Sequence, residues 1–196
     1  DSLFAMAATN THRLATKEIS LDEPATAAGR IIVPAGILSD VIRLLPDGEE
    51  EKMEISWSKN HVAFTIGSTY FISNLINGEY PEYQRVIPQS FDAHAELNLH
   101  DFAEAVRFVS PISRDVNYNT INFHFKQGVL EVFEEDPEIG RSDTSIPVKL
   151  EGDDIDITFN CSYIEDILKH SKGETITLHL LTVSYTHLRA HETEAD

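Results

Sequence analysis

The chain has 196 residues, enough for one or two domains, and its 15 Lys and Arg against 33 Asp and Glu give a formal net charge of −18. That balance excludes a protein that coats nucleic acid over its whole surface, but leaves room for a small basic face on an acidic body. A hydrophobic fraction of 41% excludes disorder, no apolar run reaches the roughly 18 residues that cross a bilayer, and the single Cys161 excludes an internal disulfide and points to a reducing, cytoplasmic home.

In chain order, Phe4–Ala8 is a short apolar run expected as a buried strand, ending at the polar cluster Thr9-Asn10-Thr11-His12-Arg13. Arg30-Ile31-Ile32-Val33 reads as a strand. Ile37–Leu45 then switches to helical spacing, with Ile37, Val41 and Leu44 beside Leu38, Ile42 and Leu45, and Pro46-Asp47-Gly48 as its stop. Met53–Trp57 and His61–Ile66 alternate as half-buried strands do. Leu99–Ser110 carries the stripe Phe102, Val106, Val109 and is expected to end at Pro111. Ile121–Phe125 and Val129–Phe133 alternate on either side of Gln127-Gly128, a hairpin signal. Further strands are expected at Ser145–Leu150, Ile155–Phe159 and Thr175–Leu181. Between the last two, Ser162–Ser171 reads as a helix that Ser162 caps, with Tyr163, Ile164, Ile167 and Leu168 as its apolar side. The pattern predicts a strand-rich α+β protein with few short helices.

The chain also repeats itself. Arg30–Val33 followed by Ile37–Ile42 has a counterpart, at a shift of 126 residues, in Asp156–Phe159 followed by Tyr163–Leu168, and Asp40 matches Asp166. Each unit leads through a charged turn into another alternating strand. A period this long is that of a duplicated domain, not a solenoid repeat. The linker falls near Ile87-Pro88-Gln89-Ser90, which gives domains at residues 1–88 and 89–182, the first holding only its later part.

Signatures of catalysis are missing: there is no glycine-rich phosphate loop, no nucleophile elbow and no Cys/His zinc spacing. His187 and His191 have helical metal-pair spacing but lie in the terminal segment, the acidic stretch Glu131–Asp156 lacks a calcium-loop pattern and reads as a solvated face, and Cys161 reads as a packing residue. No cofactor and no metal are expected. Two constellations stand out. One is the polar cluster after the first strand. The other is Asn77-Gly78-Glu79-Tyr80-Pro81-Glu82-Tyr83-Gln84-Arg85-Val86-Ile87-Pro88, a turn leading into a proline-bracketed segment with two tyrosines. They read either as a turn and a linker or as a surface that captures a short peptide.

These residues resemble a known family. Thr9-Asn10-Thr11-His12-Arg13-Leu14-Ala15 is similar to the ATDxHRLA segment of the bacterial DNA polymerase III beta subunit, the replication sliding clamp. Ile31–Pro34 resembles that family's VIVP segment, Leu75–Pro88 its long motif around G-x-[FY]-P-[DE]-Y-x-R-V, and Ile157–Ile164 its I-x-FN-x-x-Y junction. The likeness runs from about residue 3 to 182 in the family's order. Val183–Asp196 departs from it and resembles the translation of a sequencing adaptor, so that segment is set aside as a non-native tail.

The resemblance implies duplicated clamp domains with antiparallel sheets outside and short helices inside. It implies a non-enzymatic processivity factor, three domains per subunit, closing as a homodimer ring around duplex DNA; this chain would carry the later part of the middle domain and most of the third. It further implies a peptide-binding cleft for the replicative polymerase, clamp loader and repair proteins, formed by Thr9, Thr11, His12, Arg13 and Leu14 with Pro81, Arg85 and Val86, and by Tyr118, Asn160 and Tyr163. Arg43, Arg107 and Lys172, on or beside helices, are the expected contacts to DNA phosphates. Two other readings compete: an acidic peptide-binding module with duplicated domains and no role on DNA, and a hydrolase using Asp, Glu and His groups.

Overall fold

A computed structural model describes residues 2–45, 52–115, 119–181 and 190–191. The chain divides into two compact units, Asp1–Gln84 and Arg85–Asp196. Every strand pairing in both is antiparallel, and the described residues include three α-helices, so the fold is α+β.

In the first unit, β1 (Leu3–Thr9) and β2 (Leu14–Ser20) form a two-stranded hairpin. The sequence suggests a buried β1, but none of its residues is buried: Leu3 is 56% and Met6 44% exposed. A two-stranded ribbon satisfies its backbone without any layer having to cover its side chains, so apolar composition alone does not bury it. A second sheet is the meander β3 (Met53–Trp57), β4 (His61–Ile66) and β5 (Thr69–Asn74). Its central strand buries Val62, Phe64 and Ile66 against Val41 of α1 (Ala35–Leu44), with Ile37, Leu38, Ile31 and Val33 packed alongside. Helical spacing makes both apolar stripes of α1 look alike, but the helix buries only Val41, with Ile37 and Leu38 packed beside it; Ile42, Leu44 and Leu45 are exposed. Its expected stop, Pro46-Asp47-Gly48, lies outside the described residues. Arg30–Val33 is not a strand: it is an extended segment whose Ile32 carbonyl accepts the Ile76 N–H at 2.9 Å. Gly29 sits under the Trp57 ring, where an added Cβ would stand 3.1 Å from the indole.

The second unit holds two four-stranded sheets. One runs β10 (Lys149–Gly152), β6 (Ala93–Asn98), β12 (Thr175–Leu180), β13 (Ala190–His191); the other runs β11 (Ile155–Asn160), β7 (Thr120–Lys126), β8 (Val129–Asp136), β9 (Gly140–Pro147). Strict alternation in β6, β7, β11 and β12 sends one face of each strand inward. That face meets α2 (Leu99–Asp115), which contributes Phe102, Ala105, Val106 and Val109 at helical spacing, and α3 (Cys161–His170), which contributes Cys161 and Ile164. Phe123 sits among Phe102, Phe125 and Phe159 at centroid distances of 5.5–6.1 Å, within the range of favourable ring pairs. Of the terminal segment 183–196, only Ala190 and His191 fall within the described residues.

Three boundaries differ from the sequence expectation. α2 does not end at Pro111 but continues to Asp115. A proline there leaves the Arg107 carbonyl without its helical N–H, and the Ser110 hydroxyl donates to that oxygen at 3.3 Å instead. The single strand expected over Ser145–Leu150 is two, because Pro147 has no N–H for a ladder; the chain leaves β9 there and re-enters another sheet as β10. α3 is capped by Asn160 and not by Ser162: the Asn160 Oδ1 accepts the Ser162 N–H at 3.1 Å and its hydroxyl at 2.5 Å. With these bounds α1 and α3 correspond end to end at a shift of 126, the repeat seen in the sequence.

Candidate functional site

The polar cluster after β1 is the tip of the β1–β2 hairpin. Asn10 builds it: its Oδ1 accepts the N–H groups of His12 at 2.9 Å and Arg13 at 3.0 Å, and its own N–H donates to the Arg13 carbonyl at 3.0 Å. This is an Asx turn, in which a short amide side chain takes the place of backbone acceptors. The Thr9 hydroxyl adds a bond to the Arg13 carbonyl at 3.0 Å. Thr11, His12 and Arg13 stand exposed at the tip, and Leu14, paired with Thr9, is half-buried. Asn10 is absent from the sequence-derived site set, although its position two residues before His12 is the usual signal for such a turn.

The proline-bracketed segment comes to this hairpin through Tyr80, whose hydroxyl donates to the Ala7 carbonyl at 3.0 Å across 73 residues of sequence. Tyr83 packs edge-to-face on Tyr80 at 6.4 Å, and a 3-10 turn follows at Tyr83–Val86. Pro81 is exposed, as are Arg85 and Val86, the last with 53% of its surface open. Pro81 and the Thr9–Leu14 tip are therefore held on one unit by a named bond.

In the second unit, Asn160 is occupied as the cap of α3, and Tyr163 lies half-buried in the first turn of that helix. Tyr118 lies outside the described residues. The proposed DNA contacts share a local pattern: Arg43 pairs with Asp40 at 3.3 Å and Arg107 with Glu104 at 3.2 Å, each three residues apart on an exposed helix face. Such pairs are worth little and exchange readily for a phosphate. Lys172 is exposed just beyond α3.

The acidic stretch proves organised, not merely solvated. On the outer face of β8 and β9, Arg141 lies 4.7 Å over the Phe133 ring and pairs with Glu131 and Asp143 at 3.0 Å and Glu135 at 3.5 Å; His124 meets the same ring edge-on. Glu134 is the buried exception, 5% exposed. Burial pushes its carboxyl above its ordinary value of 4.5, against the opposing effect of hydrogen bonds from Thr120 at 3.2 Å and Asn122 at 2.9 Å, and Asp136 adds to the rise. Among the described residues no group of three or more His, Cys, Asp or Glu is arranged to hold a metal, and no helix is long and apolar enough to cross a membrane.

Repeated α+β units with wholly antiparallel sheets, the first bearing an exposed Asx-turn tip beside a tyrosine-anchored proline loop, place the chain in the class of DNA-clamp domains. The sequence model of the DNA polymerase III beta subunit central domain matches residues 1–82, and that of its C-terminal domain matches residues 84–194. The chain belongs to the DNA polymerase III beta subunit family.

The beta sliding clamp of Staphylococcus epidermidis is 29% identical over 170 residues, 86% of this chain and 45% of the relative. That of Staphylococcus aureus is 29% identical over 163 residues, 83% and 43% respectively. Among solved structures, the DNA polymerase sliding clamp of Pseudomonas aeruginosa has a TM-score of 0.89 at 26% identity, covering 100% of this chain and 52% of that one. The sliding clamp of Bacillus subtilis has 0.87 at 25%, covering 98% and 55%. A P. aeruginosa clamp bound to griselimycin has 0.87 at 25%, covering 100% and 52%. The chain spans about half the length of the relatives it matches.

Proposed function

We propose that this chain is part of a replication sliding clamp, a non-catalytic processivity factor that surrounds duplex DNA and tethers a replicative polymerase, a clamp loader and repair proteins. The observation that carries the reading is that both family models match in order and between them run almost from one end of the chain to the other. Topological enclosure requires no tight or sequence-specific contact, which suits a body of net charge −18 with a few cations on or beside its helices. Arg43, Arg107 and Lys172 serve as those cations in this reading, meeting phosphates without reading bases. The complete protein acts as a homodimer ring in the cytoplasm.

The residues assigned to partner-peptide binding in this reading are Thr9, Thr11, His12, Arg13, Leu14 and Pro81 of the first unit, and Arg85, Val86, Tyr118, Asn160 and Tyr163 of the second. Leu14, Pro81 and Val86 accept apolar anchors of a short linear motif, and Arg13, His12 and Asn160 orient it. The Tyr80–Ala7 bond supports this assignment, since it fastens the segment that carries Pro81 to β1, the strand leading into the hairpin tip, before any peptide arrives. In a complete clamp containing this chain, Leu14→Ala and Arg85→Ala are each expected to weaken a fluorescently labelled partner peptide about tenfold, the effect of removing one well-packed contact. An unchanged dissociation constant in both variants contradicts the site.

A further inference from the structure

The outward face of the β10-β6-β12 sheet carries a feature that neither peptide capture nor DNA enclosure uses. His94 of β6 and His179 of β12, 85 residues apart in sequence, are directly opposite in the antiparallel register. Their Nδ1 atoms are 2.5 Å apart, and their rings meet edge-to-face with centroids separated by 4.7 Å. Phe91 lies against both rings, 6.0 Å from His94 and 5.1 Å from His179. His94 is exposed and His179 half-buried, so ions in solution reach the pair. We propose that His94 and His179 form a bis-imidazole site for a divalent transition-metal ion, with copper(II) preferred.

Two imidazole nitrogens on neighbouring strands can bind one metal ion side by side, with the ion off the line that joins them. Imidazole nitrogens bind such ions at about 2.0–2.1 Å, so two of them lie about 2.9 Å apart when adjacent in a square plane and about 3.3 Å apart in a tetrahedron. The square-planar arrangement needs the pair to open by about 0.4 Å, half of what the tetrahedral one needs, and side-chain rotation supplies that. The intrinsic affinity order for nitrogen ligands puts copper(II) first. Glu151 is opposite His94 on β10, but among the described residues no third His, Cys, Asp or Glu joins the pair in a metal-holding group. The site accordingly has two protein ligands on neighbouring strands, and water fills the remaining positions.

The test is titration of copper(II) chloride into the full 196-residue chain in a non-coordinating buffer, followed by calorimetry and electron paramagnetic resonance. One equivalent is expected to bind more tightly than the rest, with hyperfine structure from two imidazole nitrogens, and nickel(II) and zinc(II) are expected to bind more weakly in that order. His94→Asn and His179→Asn are each expected to weaken that equivalent by about tenfold or more, since each removes one of two chelating ligands. The double replacement His187→Asn with His191→Asn is expected to leave it unchanged. Survival of the tight equivalent in both single variants, its loss in the double variant, a signal with one nitrogen or none, or tighter binding of zinc(II) than copper(II) overturns the proposal.

Discussion

Glu134 shows how much a single residue depends on its surroundings. In sequence it is one carboxylate in an acidic run; in the fold it is buried with two donors, Thr120 and Asn122, and Asn122 also accepts the Thr158 hydroxyl at 2.6 Å. Because its folded pKa is raised, the folded chain binds more protons than the unfolded one just above 4.5, and stability falls as pH rises through that window. The penalty is complete above the folded value and disappears below the unfolded one. Glu134→Gln is therefore expected to flatten the dependence of unfolding free energy on pH from 4.5 upward, measured by denaturant titration at several pH values; an unaltered slope refutes the assignment. Gly152 is a second such residue. It has φ +111, and an added Cβ would lie 2.3 Å from the Asp92 carbonyl oxygen. Gly152→Ala is expected to cost about 2 kcal/mol or more, because both the backbone conformation and the contact must yield. A change in denaturation midpoint near zero would show that the turn has room to move.

At the scale of elements, the helix ends and breaks carry the clearest consequences. Pro111 is exposed inside α2, so replacing it removes no packing and restores one helical hydrogen bond. A proline within a helix costs about 3 kcal/mol, part of which the Ser110 hydroxyl already offsets, so Pro111→Ala is expected to stabilise the chain by about 1–2 kcal/mol in thermal unfolding. A loss of stability would mean that the bend itself is needed for packing. Asn160 has two assignments, a cap that the geometry shows and a peptide contact that is proposed. Asn160→Asp keeps the capping oxygen, whereas Asn160→Ala is expected to cost about 1 kcal/mol. Weaker peptide binding in the Asp variant at undiminished stability separates the second role from the first. Long alternating strands such as β4, β7 and β11 were legible in sequence because large apolar residues mark every second position. β6 was not, because its inward residues include Ala93 and Ala95, whose small side chains give little contrast with their neighbours. β2 was missed because six of its seven residues are exposed, and nothing in its burial imposes a period.

For the whole molecule, a clamp predicts a behaviour that a peptide-binding module lacks. The complete protein, loaded by its loader onto primed circular DNA, is expected to remain through gel filtration and to be lost when the circle is cut, because enclosure and not affinity holds it. Equal retention on circular and linear DNA favours a module that binds DNA directly, and no retention on either favours one with no DNA role. Charge reversal at Arg43 and Arg107 together is expected to lower the yield of loaded circles without abolishing it, since each cation makes only a screened surface contact.

Sequence alone determined the α+β class, the duplication at a shift of 126, the family and the two segments proposed for peptide binding, because these rest on local order: periodicity, motif spacing and turn chemistry are written along the chain. Tertiary structure alone decided that Tyr80 ties the proline loop to Ala7, that Glu134 is buried while its acidic neighbours gather around Arg141, and that His94 meets His179. The Tyr80–Ala7, Arg141–Glu131 and His94–His179 contacts join residues 73, 10 and 85 positions apart. No propensity of either partner signals them, since strand pairing across the sheets, and not any local pattern, sets which side chains face one another.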